Sequence, residues 1–194
     1  MGEILLAHRF NPAHLDRLVS PERAKMLPPE TVIGYFAADK SAVFADIGAG
    51  PGFFTLPAAQ STTGQVFGVD IEPAMLEALR HRAQEAGQDN IHTVVGDAQA
   101  VPLEDGQADC TLCSCVLHEV PDLSAALHEL YRITKPGGRV VLVEWDKKET
   151  GFGPPVADRL DRAELASAAK AVGFVATQVH EPGEAHYALV CERP

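Results

Sequence analysis

The 194-residue chain has no apolar run approaching the roughly 20 residues that span a bilayer, so membrane insertion is not expected. Basic charge is scarce: 16 Lys and Arg stand against 27 Asp and Glu, for a formal net charge of −11. Nucleic-acid binding draws much of its affinity from Lys and Arg neutralising phosphates, and no basic run offers such a patch, so no nucleic-acid partner is expected. Cysteine is limited to four residues without a framework spacing, which suggests free thiols rather than a disulfide scaffold. The start, "MGEILLAHRF", is too short and too polar for a signal peptide, and a cytoplasmic location is the expectation.

What is present is an ordinary globular composition, 46% hydrophobic, in a chain long enough for one domain with a sizeable core. Strand-like runs at residues 42–48, 64–72, 90–98, 108–118 and 137–145 alternate with helical patterns. A closing pair at 173–181 and 185–192, separated by "PGE", reads as a hairpin. Pro73 opens a helix whose face carries Met75, Leu76, Leu79 and Ala83, with Gly87 at its end. Leu123, Ala126, Leu127, Leu130 and Ile133 form the next stripe, and Asp161 with Glu164 resembles a capping box before Leu165, Ala169 and Val172. Continuous apolar strands between helices predict an α/β fold, a mostly parallel sheet covered on both faces. Residues 1–40 stand outside this alternation. Asn11-Pro12, Ser20-Pro21 and Pro28-Pro29 each look like a helix start, so 1–40 reads as an N-terminal helical arm and 41–194 as the main domain.

The stretch richest in chemistry is "VFADIGAGPGFFT", residues 43–55. A buried strand delivers Asp46, and then Gly48, Gly50 and Gly52 alternate before a helix expected to start near Gly52 or Phe53, since Pro57 suits only a first turn. A dinucleotide loop would read G-x-G-x-x-G and cradle a pyrophosphate. This loop reads G-x-G-x-G behind an acid, which would repel a diphosphate and suit a cation. The second strand ends at Asp70, about twenty residues past the loop, where a carboxylate accepts ribose hydroxyls. The third ends at Gly96-Asp97-Ala98, where a carboxylate can take an adenine amino group. Three successive strand ends therefore describe an adenosine without phosphate and with a positively charged tail: S-adenosylmethionine.

These residues resemble class I S-adenosylmethionine-dependent methyltransferases over roughly residues 40–192. Asp46 to Gly52 matches the family's first motif, Asp70 its ribose acid, Gly96-Asp97-Ala98 its adenine-side motif, and Thr134 to Gly138 the turn before strand five. The chain is most similar to small-molecule methyltransferases of the ubiquinone/menaquinone type, and "RFNPAHLDRLVSPERAKMLPPETV" resembles the start of a bacterial and archaeal group. The resemblance implies a three-layer Rossmann-like fold with a seven-stranded sheet whose last strand runs antiparallel. It also implies cofactor contacts from Ala49, Ile71, Met75 and Cys115 beside the loop and the three acids.

The segment "CTLCSCVLHEV", residues 110–120, allows several readings. On a strand, Cys113 and Cys115 share one face and Cys110 takes the other. Cα atoms two positions apart lie about 6.5–7 Å apart, the far limit for a disulfide. C-x-C beside one histidine is poor for zinc, so no metal is expected and packing is the simplest role. Cys115 nevertheless falls where a methyl acceptor enters, and Ser114-Cys115-Val116 resembles the strand-four cysteine motif of arsenite methyltransferases, although the further thiols of that group are missing. His118 and Glu119 follow: His118 is a candidate general base, or simply a surface or capping residue. His81 and His128 read as surface residues; His180, His186 and Tyr187 surround the hairpin, and Trp145 reads either as lying under the acceptor pocket or, more simply, as core. Nothing after strand four matches the Asn/Asp-Pro-Pro-aromatic signature of nucleobase N-methylation.

The acceptor pocket is left to the arm, the strand-four end and the loop at 146–159, whose Gly151, Gly153, Pro154 and Pro155 suggest a shaped lid. The expected function is methyl transfer to a small-molecule acceptor, with oligomeric state open. The alternatives are an arsenite, metalloid or thiol methyltransferase, a non-catalytic S-adenosylmethionine-binding protein, and a nicotinamide oxidoreductase, against which the loop spacing and Asp46 speak.

Overall fold

The computed structural model describes residues 15–194. Seven strands form one sheet: β1 (Phe44–Ile47), β2 (Val66–Asp70), β3 (Ile91–Val95), β4 (Ala108–Ser114), β5 (Thr134–Trp145), β6 (Val175–Gly183) and β7 (His186–Glu192). Their order is β3-β2-β1-β4-β5-β7-β6. Pairings along β3-β2-β1-β4-β5 are parallel, and β7 runs antiparallel to both β5 and β6. The strands alternate with helices α1 (Leu15–Leu18), α2 (Pro21–Met26), α3 (Pro29–Gly34), α4 (Thr55–Ser61), α5 (Pro73–Glu85), α6 (Leu123–Ile133) and α7 (Arg162–Val172). The α/β architecture and antiparallel last strand match the sequence-based expectation.

The two-sided burial of the central strands explains their unbroken apolar runs. Side chains alternate along each strand, so Ala45, Ile47, Cys113, Val140 and Leu142 join Leu127, Leu130 and Leu165 of α6 and α7 in one core. Phe44, Cys110, Leu112, Val141 and Val143 join Val32 and Ile33 of α3 and Phe54 and Ala58 around α4 in the other. A third cluster seats Leu76 and Leu79 of α5 against Leu56 and Ala49. Each fully buried leucine contributes about 1.5–3 kcal/mol relative to exposure. Local signals fix the helix ends: Asp122 and Asp161 accept from the first-turn amides of α6 and α7. Gly173, at φ 116°, closes α7.

The arm helices at Ser20-Pro21 and Pro28-Pro29 form as expected, with Ser20 Oγ accepting from Arg23 N at 3.2 Å. Asn11-Pro12 lies outside the described residues. Leu27, Val32, Ile33 and Phe36 lie in the same core as the sheet rather than in a core of their own. Two local expectations are corrected. The helix after the glycine loop starts at Thr55, not at 52 or 53, because Gly52 at φ 87° cannot be helical; Pro57 still falls in the first turn. Strand four ends at Ser114, because Cys115 takes φ 56° and leaves the sheet, so it does not share a strand face with Cys113.

Candidate active site

Parallel strands bring the ends of β1 to β5 to one rim of the sheet. The antiparallel β7 adds its first residue there, since Trp145 and His186 are register partners. Just beyond β1 the chain turns through left-handed backbone at Gly48 (φ 75°) and Gly50 (φ 53°). A side chain at Gly48 would place its Cβ 2.1 Å from Val116 Cγ2, whereas one at Gly50 would meet, among the described residues, only Leu18 Cδ1 at 3.9 Å, so α1 lies over the loop. Gly48 N and Ala49 N donate to Val69 O at 2.8 and 2.9 Å, which pins the loop to the end of β2.

Three acids surround this loop. Asp46 is buried, and its Oδ2 accepts from Thr55 Oγ1 at 2.6 Å. Burial pushes its carboxyl up to about 7; Thr55's hydroxyl and the Arg23 guanidinium pull against that, and Asp70 adds to it. Asp70 accepts from Gly50 N at 2.7 Å through Oδ2 and from Glu72 N at 2.9 Å through Oδ1. Burial raises its carboxyl despite these amides. Asp97 Oδ1 accepts from Gln99 N at 2.8 Å, and Gly96, whose added Cβ would lie 2.3 Å from Pro102 Cδ, is backed onto that proline. Ala98 is half-buried, Met75 is buried in α5 and Ile71 stands exposed beside Asp70.

A second group gathers after β4. His118 Nδ1 lies 2.8 Å from Glu144 Oε2, and His118 N donates to Glu144 Oε1 at 3.3 Å. Glu144 is fully buried in β5, and the His118 side chain is only 5% exposed. Burial opposes charge on the imidazole, but Glu144's hydrogen bond and charge, with Glu119 and Asp158, outweigh it and raise the His118 pKa. Glu119 Oε1 sits 3.6 Å from His118 Nε2. Cys115 lies at the same end; burial pushes its thiol up to about 12, so it stays protonated. All four cysteines are free, and no group of three or more His, Cys, Asp or Glu among the described residues is arranged to hold a metal ion.

Four residues of this region were not picked out from sequence. Glu144 interrupts an apolar run, "VVLVEW", and that interruption was its one legible signal. Arg23 of α2 lies over the Phe53 ring at 4.3 Å and donates to Leu18 O at 2.8 Å, facing Asp46 and Cys115. Thr55 is the first residue of α4. Arg159 organises the segment 146–155: it donates to Asp146 O, Lys148 O, Thr150 Oγ1, Phe152 O and Pro154 O at 2.7–3.0 Å. Gly153, at φ 86°, seats that loop on Trp145, where a Cβ would fall 2.8 Å from Cζ3. Trp145 is therefore a half-buried floor for the loop rather than a core residue. His81 and His128 are exposed, as expected.

This set fits the expected cofactor. A buried acid suits its cationic end, the carboxylate that grips the loop amide stands at the end of β2 where a ribose contact was expected, and Asp97 Oδ2 carries no hydrogen bond among the described residues.

The family described as "Methyltransferase domain" matches residues 45–142. Demethylmenaquinone methyltransferase of Lactococcus lactis is 36% identical over 97 residues, 50% of this chain and 38% of that protein. The protein of that name from Staphylococcus aureus strain JH9 is 33% identical over 132 residues, 67% of this chain and 54% of its own length. The chain thus spans about two fifths to half the length of these curated relatives. A SAM-dependent methyltransferase from Aquifex aeolicus superposes with a TM-score of 0.88 at 23% identity, covering 94% of this chain and 98% of that one, which speaks for the fold. The family match extends over half the chain and includes Asp46, the glycine loop, Asp70, Asp97 and His118: the chain belongs to the methyltransferase domain family, and its cofactor is S-adenosylmethionine.

Proposed function

We propose that the protein transfers a methyl group to a small, planar acceptor bearing an ionisable hydroxyl, of the quinol or phenol class, with His118 as general base. The observation that carries this reading is the His118–Glu144 pair at the rim that holds the glycine loop, 2.8 Å apart and closed from solvent. The demethylmenaquinone methyltransferases among the relatives support the acceptor class.

Asp46, Asp70 and Asp97 would hold the cofactor with the amides of the glycine loop. When bound, S-adenosylmethionine supplies an electrophilic methyl whose bond to sulfur breaks, the electron pair staying on sulfur, as the bond to the acceptor forms. The chain's own contribution is alignment, exclusion of water and removal of one proton. Alignment alone can supply up to about 7–11 kcal/mol. Glu144 takes the proton side of His118 Nδ1, which leaves the Nε2 lone pair to accept the acceptor's proton. Such a base contributes about 10²–10⁴-fold. Glu119, near Nε2, would steady the imidazolium after transfer. The segment 146–155 and the helices of 15–34 would form the lid.

A screen with radiolabelled methyl donor across quinols, phenols, thiols and arsenite tests the reading. Label should enter a quinol or phenol and fall by at least about 100-fold in His118→Ala. Label entering arsenite or a thiol instead, unaffected by His118→Ala, would assign the metalloid or thiol chemistry. A protein that binds the cofactor but labels nothing would be a non-catalytic binder.

A further inference from the structure

His186 opens β7 at the same rim as the proposed site, and its Nδ1 is buried with no hydrogen-bond partner among the described residues. The residue is 4% exposed, and its ring lies 4.2 Å from the Trp145 ring. An unpaired buried polar atom costs about 1–3 kcal/mol. Phenylalanine would pack against the Trp145 ring equally well without that cost, so packing does not account for the imidazole. The surroundings say what would. Trp145 and Phe152 supply aromatic walls at the lid, Phe152 meeting Trp145 edge-on at 5.8 Å. Gly153, at left-handed backbone (φ 86°), closes the loop directly onto the Trp145 ring.

The neighbouring charges are cationic. Arg23 reaches in from α2 and Arg159 from beneath the loop, so together with burial they keep His186 neutral, its pKa lowered to about 4. All five N–H groups of Arg159 are taken by the lid segment, which leaves it no donor for a ligand. A flat apolar body beside one unpaired hydrogen-bonding atom suits a planar aromatic ring that carries a hydroxyl group.

We propose that His186 is an acceptor-positioning residue: its Nδ1 accepts a hydrogen bond from the second hydroxyl of a quinol-type acceptor lying beside Trp145, the hydroxyl that does not give its proton to His118. This rests on the methyltransferase reading for its biological meaning, but the binding site is testable without turnover.

Calorimetry with the whole chain and two probes, 2-naphthol and 2-methoxynaphthalene, separates the hydrogen bond from packing. The wild type should bind 2-naphthol about fivefold or more tighter than its capped analogue, the share of about 1 kcal/mol expected for one hydrogen bond. His186→Phe should erase that preference while keeping the packing against Trp145, and His186→Asn, whose amide reaches the Nδ1 position, should restore most of it. Melting curves of the three proteins establish that each is folded. No binding of 2-naphthol to the wild type, an undiminished preference in His186→Phe, or equal weakening of both probes would each overturn the assignment. If the preference behaves as stated while the radiolabel screen finds no transfer, the site stands and the methyltransferase reading fails.

Discussion

The Glu144 carboxylate holds His118 at two points, taking the imidazole at Nδ1 (2.8 Å) and the backbone amide (3.3 Å). A turn residue is thereby fixed to a central strand. The base is active when neutral, and its pKa is raised, so activity should climb as pH rises through that value and reach a plateau above it. Glu144→Gln keeps the shape but removes the charge that raises the pKa. We predict that this limb shifts to lower pH, and that the plateau kcat falls about 10–100-fold as the imidazole loses its orienting partner. Glu119 and Asp158 also face His118, so Glu119→Gln should shift the limb in the same direction and by less. A pH profile of kcat for the two variants checks both.

Asp46 predicts a pH dependence of stability. Its folded carboxyl stands near 7 against an ordinary 3.8. A group raised on folding gives stability that is fully present below the unfolded value and is lost as pH rises toward the folded one. Without cofactor, the protein should therefore lose stability between about pH 4 and 7 on account of Asp46. Asp46→Asn should flatten that slope in urea titrations. A cationic cofactor would favour the ionised carboxyl, so binding at pH 6 should release a proton, seen as a buffer-dependent binding enthalpy in the wild type and lost in Asp46→Asn.

Asp70 serves the loop and, in our account, the ribose. Asp70→Ala should weaken S-adenosylmethionine binding at least tenfold, about 1.4 kcal/mol. Unchanged affinity by calorimetry would remove the ribose assignment.

Arg159 is a buried cation (4% exposed) whose hydrogen bonds all go to one loop. Arg159→Lys keeps the charge but cannot make the forked contacts. We expect a loss of about 2 kcal/mol, or roughly 4–8 °C in melting temperature at this chain length. Faster hydrogen exchange should be confined to the amides of residues 146–155, whereas protection of β1 and β4 should fall only with global stability.

The fold was legible because its signals are local: apolar strands buried on both faces, the Asp161 cap, the Gly173 stop and the glycine turn. The three acids proposed to hold the cofactor could be grouped from sequence because they fall at the ends of successive strands, which parallel topology brings to one rim. On the proposed acceptor side His118 was legible as a candidate base, but its partners were not. Glu144 and His118 are 26 residues apart, and His186 reaches the rim only because β7 runs backwards beside β5. Arg23 was hidden for another reason: nothing in an amphipathic arm says that one of its cations folds over Phe53. The strand-four cysteines drew attention by their density, yet Cys113 and Cys110 simply fill opposite cores.

The most direct test of the central claim is the stoichiometry of a single turnover. Enzyme loaded with S-adenosylmethionine should be mixed with a quinol or phenol acceptor and both products quantified by mass spectrometry. We predict one S-adenosylhomocysteine for each acceptor that gains a methyl group, at a rate at least about 100-fold lower in His118→Ala. Recovery of the cofactor unchanged across the acceptor panel, from protein shown by calorimetry to have bound it, would contradict the account.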